Sequence, residues 1–242
     1  MKAHFDPLGK GYAESPSHAG GKTLGMLLAW AEPKASDLLC DVGAGTGHTA
    51  LAFAPKVRFA VGVDPSSGML AAARKASNVR WAQGVAEALP LKSSTFDLAV
   101  SRTAAHHFQD LRAACREFRR ILKPGGRCVV TDQVGFDDLA LQAFVHGVEV
   151  LHDPSHVKAY TVAEWTAALE EAGLKVERVE SGMTELPEGT SVEDWCRRSG
   201  TPAMAKDEIL GRLKRAPEVL KVRREGDDVR FNIYKLVLRA RA

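Results

Sequence analysis

The stretch richest in chemistry is Leu39-Cys40-Asp41-Val42-Gly43-Ala44-Gly45-Thr46-Gly47-His48. An apolar run ends on an acid, and three alternating glycines follow. Glycine lets the backbone turn sharply and lets a ligand approach without a Cβ in the way. A mononucleotide loop of the form G-x-x-x-x-G-K-[ST] needs a lysine that is absent here. A dinucleotide G-x-G-x-x-G needs a glycine where His48 stands. Asp41, two residues ahead of the first glycine, would repel a pyrophosphate and attract a cation such as an amino group or a sulfonium. A plain strand-to-helix turn with no ligand is the competing reading. A second acid, Asp64, closes Ala60-Val61-Gly62-Val63-Asp64-Pro65-Ser66. It lies near the roughly twenty-residue spacing at which a carboxylate accepts both ribose hydroxyls. A role as cap for the helix that follows is compatible with this.

Further along, His106 and His107 are placed to act as general bases. The alternative is that one caps the next helix and the other packs. Arg102 either orients an anionic substrate or is a surface guanidinium. His152 and His156 have the i,i+4 spacing of a metal pair, but Pro154 breaks a regular helix between them and no third ligand is evident, so no metal is expected. With Asp153 they are candidates for lining a substrate pocket. Tyr12 and His18 lie in Gly11-Tyr12-Ala13-Glu14-Ser15-Pro16-Ser17-His18-Ala19-Gly20-Gly21, a segment that reads as a lid or as a frayed terminus.

These residues need strands and helices to hold them. Asp37 to Val42, Phe59 to Val63, Val79 to Ala82, Phe96 to Val100 and Arg127 to Thr131 read as buried strands. Helical patterns cover Met69 to Lys75, Asp110 to Leu122, Leu139 to Leu151 and Val162 to Glu171. Such alternation implies βαβ units and a parallel sheet covered on both faces. Lys123-Pro124-Gly125-Gly126 reads as a helix stop and tight turn. Gly182 to Pro202 reads as loop-rich. Leu174 to Val179 and Arg230 to Arg239 read as closing strands, the second with a slip in its alternation.

Composition narrows the classes. With 33 Lys plus Arg against 30 Asp plus Glu, the net charge is +3, and the late basic residues are interleaved with acids rather than forming a nucleic-acid stripe. At 45% hydrophobic and 26% charged, the chain is an ordinary globular one. No apolar run is long enough to span a bilayer, and Met1 to Lys10 lacks a secretory h-region, so the expected address is cytoplasmic. Cys40, Cys115, Cys128 and Cys196 form no C-x-x-C pair and read as small buried hydrophobes.

Together the motifs resemble the class I S-adenosylmethionine-dependent methyltransferases, in particular the small-molecule group that includes the ubiquinone/menaquinone C-methyltransferases. The likeness covers Leu38 to Thr131, with weaker likeness from Tyr12 to Gly21 and from Tyr160 to Val179. Asp41, Gly43, Ala44, Gly45 and Gly47 are similar to the loop around the methionine portion. Asp64-Pro65-Ser66 is similar to the ribose strand, with Met69 covering the adenine. Gly84-Val85-Ala86-Glu87-Ala88-Leu89-Pro90 is similar to the adenine loop. Phe96 to Ser101, then His106-His107-Phe108 and Arg120 to Gly126, are similar to the fourth strand, its helix and the entry to the fifth. Family members often carry an Asp where Val85 stands. Val85 cannot accept a hydrogen bond, which leaves adenine recognition to the Ala86 N–H, to Glu87 or to apolar packing.

The resemblance implies an α/β, Rossmann-like, doubly wound seven-stranded sheet, with six strands parallel and one antiparallel near the C-terminus. It implies S-adenosylmethionine as cofactor, with Ser101, Arg102, Tyr12 and His18 completing its site and His106 and His107 as catalytic candidates. One domain would span 1–242, with a lid over 1–30 and substrate-cap insertions over 133–160 and 182–215. The reaction would be methyl transfer by in-line displacement to a small molecule. The alternatives are a catalytically silent protein that binds S-adenosylmethionine or S-adenosylhomocysteine, and a nucleic-acid methyltransferase. Against the last, the fourth strand ends in Ser101-Arg102-Thr103-Ala104, with neither a D/N/S-P-P-Y/F/W element nor a Pro-Cys nucleophile.

Overall fold

The computed structural model describes residues 5–9 and 20–242. Tyr12 and His18 lie outside the described residues. After α1 (Lys22–Ala31) the chain alternates β1 (Leu38–Val42), α2 (His48–Phe53), β2 (Phe59–Asp64), α3 (Ser67–Ala72), β3 (Val79–Gln83) and β4 (Phe96–Arg102). It continues through α4 (Leu111–Ile121), β5 (Leu122–Gln133), α5 (Leu139–His152), α6 (Val162–Glu171) and β6 (Lys175–Thr184). The last part holds β7 (Thr190–Ser191), α7 (Val192–Ser199), α8 (Ala203–Leu213), β8 (Arg223–Glu225), β9 (Asp228–Phe231) and β10 (Tyr234–Arg241).

Seven strands form one sheet in the order β3-β2-β1-β4-β5-β10-β6. Only β10 runs antiparallel to its neighbours, β5 and β6. This is the expected architecture. The strands read as unbroken apolar runs because both faces are covered. Leu39, Leu98, Val100, Val129 and Val237 face a core with Leu27 and Trp30 of α1 and Phe53 of α2. The alternate residues Cys40, Ala99, Cys128, Val130, Leu236 and Leu238 face Phe118 and Ile121 of α4 and Trp165 and Leu169 of α6. Strand order reverses between β1 and β4, so the carboxyl ends of those strands diverge into a crevice where sheets of this kind bind ligands. Part of the 1–30 lid segment is thus core, since α1 packs beneath the sheet.

Helix starts follow local chemistry. Asp110 caps α4 by accepting from Ala113 N at 3.0 Å. Thr161 and Glu164 form a capping box at α6, which begins and ends where the sequence pattern places it. Ser66 caps α3 by accepting from Met69 N, so that helix starts earlier than expected and stops at Ala72.

Three expectations are corrected. Lys123 to Gly126 is not a turn between elements but a bulged entry into β5, whose pairing with β4 jumps from Phe96↔Leu122 to Leu98↔Arg127. Gly125, at φ 75°, and Gly126 pair there with Ala242. The run Arg230 to Arg239 is two strands. Phe231 ends β9 in a small sheet ordered β7-β9-β8, and the chain enters the main sheet at Tyr234. The slip in apolar alternation marks this break, where Asn232 N donates to Leu220 O. Gly182 to Pro202 is not mainly loop. β6 runs to Thr184, and α7 is capped by Ser191. Val192, Trp195 and Cys196 of α7 join Ile209 and Leu213 of α8, Val148 of α5 and Phe231 in a third core. That spacing of apolar residues is helical, but Gly, Pro and Ser residues flank it closely.

Candidate active site

The glycine loop crosses the end of β1 as its residues require. Gly43, Gly45 and Gly47 all have positive φ, at 73°, 53° and 87°. The amides of Gly43 and Ala44 both donate to Val63 O, at 2.9 and 3.0 Å, which ties the loop to β2. The three glycines answer different needs. A Cβ on Gly43 would sit 2.4 Å from Ala104 Cβ, and one on Gly47 would meet the Trp81 ring at 2.3 Å. A Cβ on Gly45 would meet nothing within 4 Å, so Gly45 presents bare backbone to open space. Asp64 braces this loop: its Oδ2 accepts from Gly45 N at 2.8 Å and its Oδ1 from Ser66 N at 2.9 Å. Each oxygen retains a lone pair for a ligand hydroxyl. Burial raises the Asp64 pKa above the usual carboxylate value.

A cavity of about 590 Å³ opens above the loop. Gly43, Ala44, Gly45, Asp64, Pro65, Met69, Ala86, Glu87 and Arg102 line it from the set expected to bind cofactor, and so do both expected catalytic histidines, His106 and His107. The remaining members lie behind or beside the wall. Asp41 is buried, and its Oδ2 accepts from Ala50 N at 3.0 Å, holding the first turn of α2. Burial, with the charge of Asp64 adding to it, lifts its pKa to about 7. Gly47 turns its back on the Trp81 ring. The Ser66 hydroxyl donates to Asp6 Oδ1 at 2.7 Å, and Gly68 N donates to the same oxygen at 3.0 Å, which seats the segment around Asp6 on α3. Ser101 is buried in β4. Val85 is 40% exposed and is not among the cavity-lining residues. Its neighbours Ala86 and Glu87 do line the cavity, Glu87 with Oε1 held by Gln109 N at 2.7 Å.

The far side of the cavity is built around Asp132, at the end of β5. Its Oδ2 gathers the amides of Ala104, Ala105 and His106, and its Oδ1 lies 2.7 Å from His106 Nδ1. With Nδ1–H donating to the carboxylate, the Nε2 lone pair of His106 is left to accept a proton. Burial works against the charged imidazolium, but the Asp132 charge and hydrogen bond outweigh it and raise the His106 pKa above its ordinary value. The same partner holds Asp132 well below the usual carboxylate range despite its burial. His107 differs. Burial and the neighbouring His106 depress its pKa to about 3, and its Nδ1 lies 3.1 Å from both Ser155 O and Ser155 Oγ. It is a neutral, weakly basic wall residue.

His152 and His156 part company. His152 stacks on Trp195 with ring centroids 3.6 Å apart, whereas His156 lies beside His106 at 5.5 Å. The chain also places Gln133, Glu149, Glu185, Arg198 and Lys235 on the cavity wall, none of which stood out in the sequence. Asp132 was legible by one signal: like Asp41 and Asp64, it is an acid closing an apolar strand.

A family model described as "Methyltransferase domain" matches residues 40–130. An uncharacterized methyltransferase, YcgJ of Bacillus subtilis, is 37% identical over 213 residues, covering 86% of this chain and 83% of that protein. Its crystal structure superposes with a TM-score of 0.83 at 33% identity, covering 90% and 97% of the two chains. The uncharacterized protein YafE of Escherichia coli is 36% identical over 69% of this chain and 82% of its own length. A demethylmenaquinone methyltransferase of Corynebacterium kroppenstedtii is 33% identical over 53% of this chain and 57% of its own length. The glycine cradle, the acid that closes β2, the sheet topology and these likenesses agree, and the chain belongs to the class I S-adenosylmethionine-dependent methyltransferases.

Proposed function

We propose that this methyltransferase acts on a small-molecule acceptor, with His106 as general base and Asp132 as the residue that positions it. One observation carries this reading: the same cavity of about 590 Å³ is lined by Gly45 and Asp64 at one end and by His106 and His156 at the other. A cavity of this size suits a cofactor and a small acceptor. The relative from Corynebacterium kroppenstedtii, named for demethylmenaquinone, also points to a small acceptor. Four buried free cysteines suit a reducing, cytoplasmic setting.

The cofactor supplies an electrophilic methyl group on a sulfonium. Gly43 to Gly45 would hold its methionine portion, Asp64 its ribose hydroxyls, and Met69 and Ala86 its adenine. The residues fit, because Gly45 leaves the space a Cβ would take and Asp64, accepting one amide at each oxygen, keeps a lone pair on each. Above a pH of about 7 the buried Asp41 is a negative centre behind the loop, and its field then favours a cation in front of it. Arg102, at the end of β4, donates to Gly20 O at 2.8 Å and so ties the entry of α1 to the site. At the other end, His106 takes the acceptor's proton at Nε2 while Asp132 stabilises the imidazolium. Such a base contributes about 10²–10⁴-fold when the acceptor loses a proton in the step. The walls contributed by 133–160 and 182–215 act as the acceptor cap.

Calorimetric titration with S-adenosylhomocysteine tests the cofactor end. Asp64→Ala is expected to weaken binding by more than about tenfold, the effect of losing charged hydrogen bonds. Unchanged affinity removes Asp64 from the site. Turnover with phenols, amines, quinones and acids tests the other end. Cofactor binding with no methylated product from any class would favour a binding protein without catalysis.

A further inference from the structure

Two polar side chains in the cavity have no task in the scheme above. Lys235 pairs with Gln133 of β5 and Met183 of β6, and the β10–β6 register shifts between Lys235 and Leu236. Bulges next to active sites re-aim a side chain. Lys235 lines the cavity, yet its ammonium has no hydrogen bond or ion pair to any described residue. Asp132, Glu149 and Glu185 act on it through their charge, but their hydrogen bonds go to other groups. Asp132 holds His106 and four backbone amides. Glu185 accepts Thr23 N with both oxygens, and Glu149 Oε2 accepts from Gln133 Nε2 at 3.2 Å.

His156 is 6% exposed and also lines the cavity, and neither of its ring nitrogens has a hydrogen-bond partner among the described residues. Glu149 Oε2 lies 3.9 Å from Nδ1, beyond hydrogen-bond reach. Buried polar groups without partners are rare in folded proteins, and each calls for an explanation. Here a bound molecule supplies one.

An ammonium offers three donors and no acceptor, and a neutral imidazole offers one donor. The group that answers both must accept several hydrogen bonds at once. A carboxylate does so with two oxygens and about four lone-pair sites, and its charge strengthens each bond. An amine would meet Lys235 with like charge, and a hydroxyl, which can accept two bonds, brings no charge to pair with the ammonium. We propose that the methyl acceptor is a small carboxylate whose carboxylate group is held by Lys235 Nζ and a His156 ring N–H. This rests on the reading that one cavity holds both cofactor and acceptor.

Benzoate and benzyl alcohol serve as matched probes, one carboxylate and one neutral, titrated into protein saturated with S-adenosylhomocysteine and followed by ligand-observed NMR. Benzoate is expected to bind at least about tenfold more tightly than benzyl alcohol, as a charged hydrogen-bond pair predicts. Lys235→Met and His156→Phe should each weaken benzoate without changing S-adenosylhomocysteine affinity, and Lys235→Arg should recover part of the loss. Equal binding of the two probes, no binding of either, or unchanged benzoate affinity in folded Lys235→Met overturns the proposal. If Lys235→Met does not fold, the wild-type comparison and His156→Phe decide it. Failure of S-adenosylhomocysteine to bind the wild type would instead overturn the cofactor reading beneath it.

Discussion

The two ends of the sheet treat buried charge in opposite ways. At the amino ends of the strands, every named charge is matched. Arg127 donates to Asp37 Oδ2 at 2.6 Å and to the carbonyls of Ala31 and Glu32. Lys123 Nζ lies 2.8 and 2.9 Å from the two oxygens of Asp97, and Asp97 Oδ2 also accepts Leu38 N. Partial burial alone would raise the Asp97 pKa, but Lys123 holds it below the usual carboxylate value. At the carboxyl ends the balance is reversed. Burial lifts both Asp41 and Glu149 to about 7, while His156 falls to about 3. Both ends use polar groups to hold the chain, but only the carboxyl end also leaves cavity-lining groups, His156 and Lys235, without a hydrogen-bond partner among the described residues. Strongly perturbed groups gathered in a cleft are the physical mark of a functional site.

The largest expected effect breaks the site end. Asp132→Asn should lower turnover by about 10²–10⁴-fold. An amide facing Nδ1 donates rather than accepts, so the imidazole switches tautomer and Nε2 becomes a donor. In the wild type the His106 pKa is raised, so the basic imidazole is populated only above its ordinary value, and rate should climb with pH through that region. The linked stability runs the other way: it is full below the unfolded pKa and is lost as pH rises through the folded one. In Asp132→Asn the pH limb should move down. A limb that stays in place would assign the base elsewhere.

The next effect breaks the opposite end. Arg127→Met strands Asp37 in a buried setting, and removing one partner of such a pair costs about 3–5 kcal/mol. Thermal unfolding should show this loss, while S-adenosylhomocysteine affinity of the folded fraction stays near wild type. A large loss of affinity would mean that the two ends are not independent.

The smallest expected effect sharpens the contrast. Asp41 has a raised folded pKa, so the folded state binds more protons than the unfolded one between the ordinary carboxylate value and about 7. Stability should therefore fall as pH rises through that window. Asp41→Asn should flatten this dependence and stabilise the ligand-free protein at pH 8 by on the order of 1 kcal/mol. Denaturant midpoints across pH measure it, and an unchanged slope would show that Asp41 is not strained by burial.

Local sequence carries the proposed cofactor half of the site. The acid–glycine loop, Asp64, Met69 and the Gly84 to Pro90 loop are short segments whose shape depends on their own residues and on the strand just before them. Strand runs and helix caps are legible for the same reason, since apolar period, Asp110 and the Thr161–Glu164 box act within a few residues. Val85 shows the limit of that reading. Its place in the motif predicts contact with the cofactor, whereas the fold leaves it 40% exposed and outside the cavity lining. The proposed acceptor half was decided by tertiary structure. His106, Asp132, Glu149, His156 and Lys235 come from five separate segments, and no spacing along the chain links them. They meet because the antiparallel β10 returns beside β5 and because α5 and the turn after it fold back across the strand ends. Side-chain pairing at close range sets their charge states, and it exists only once the sheet has brought them together.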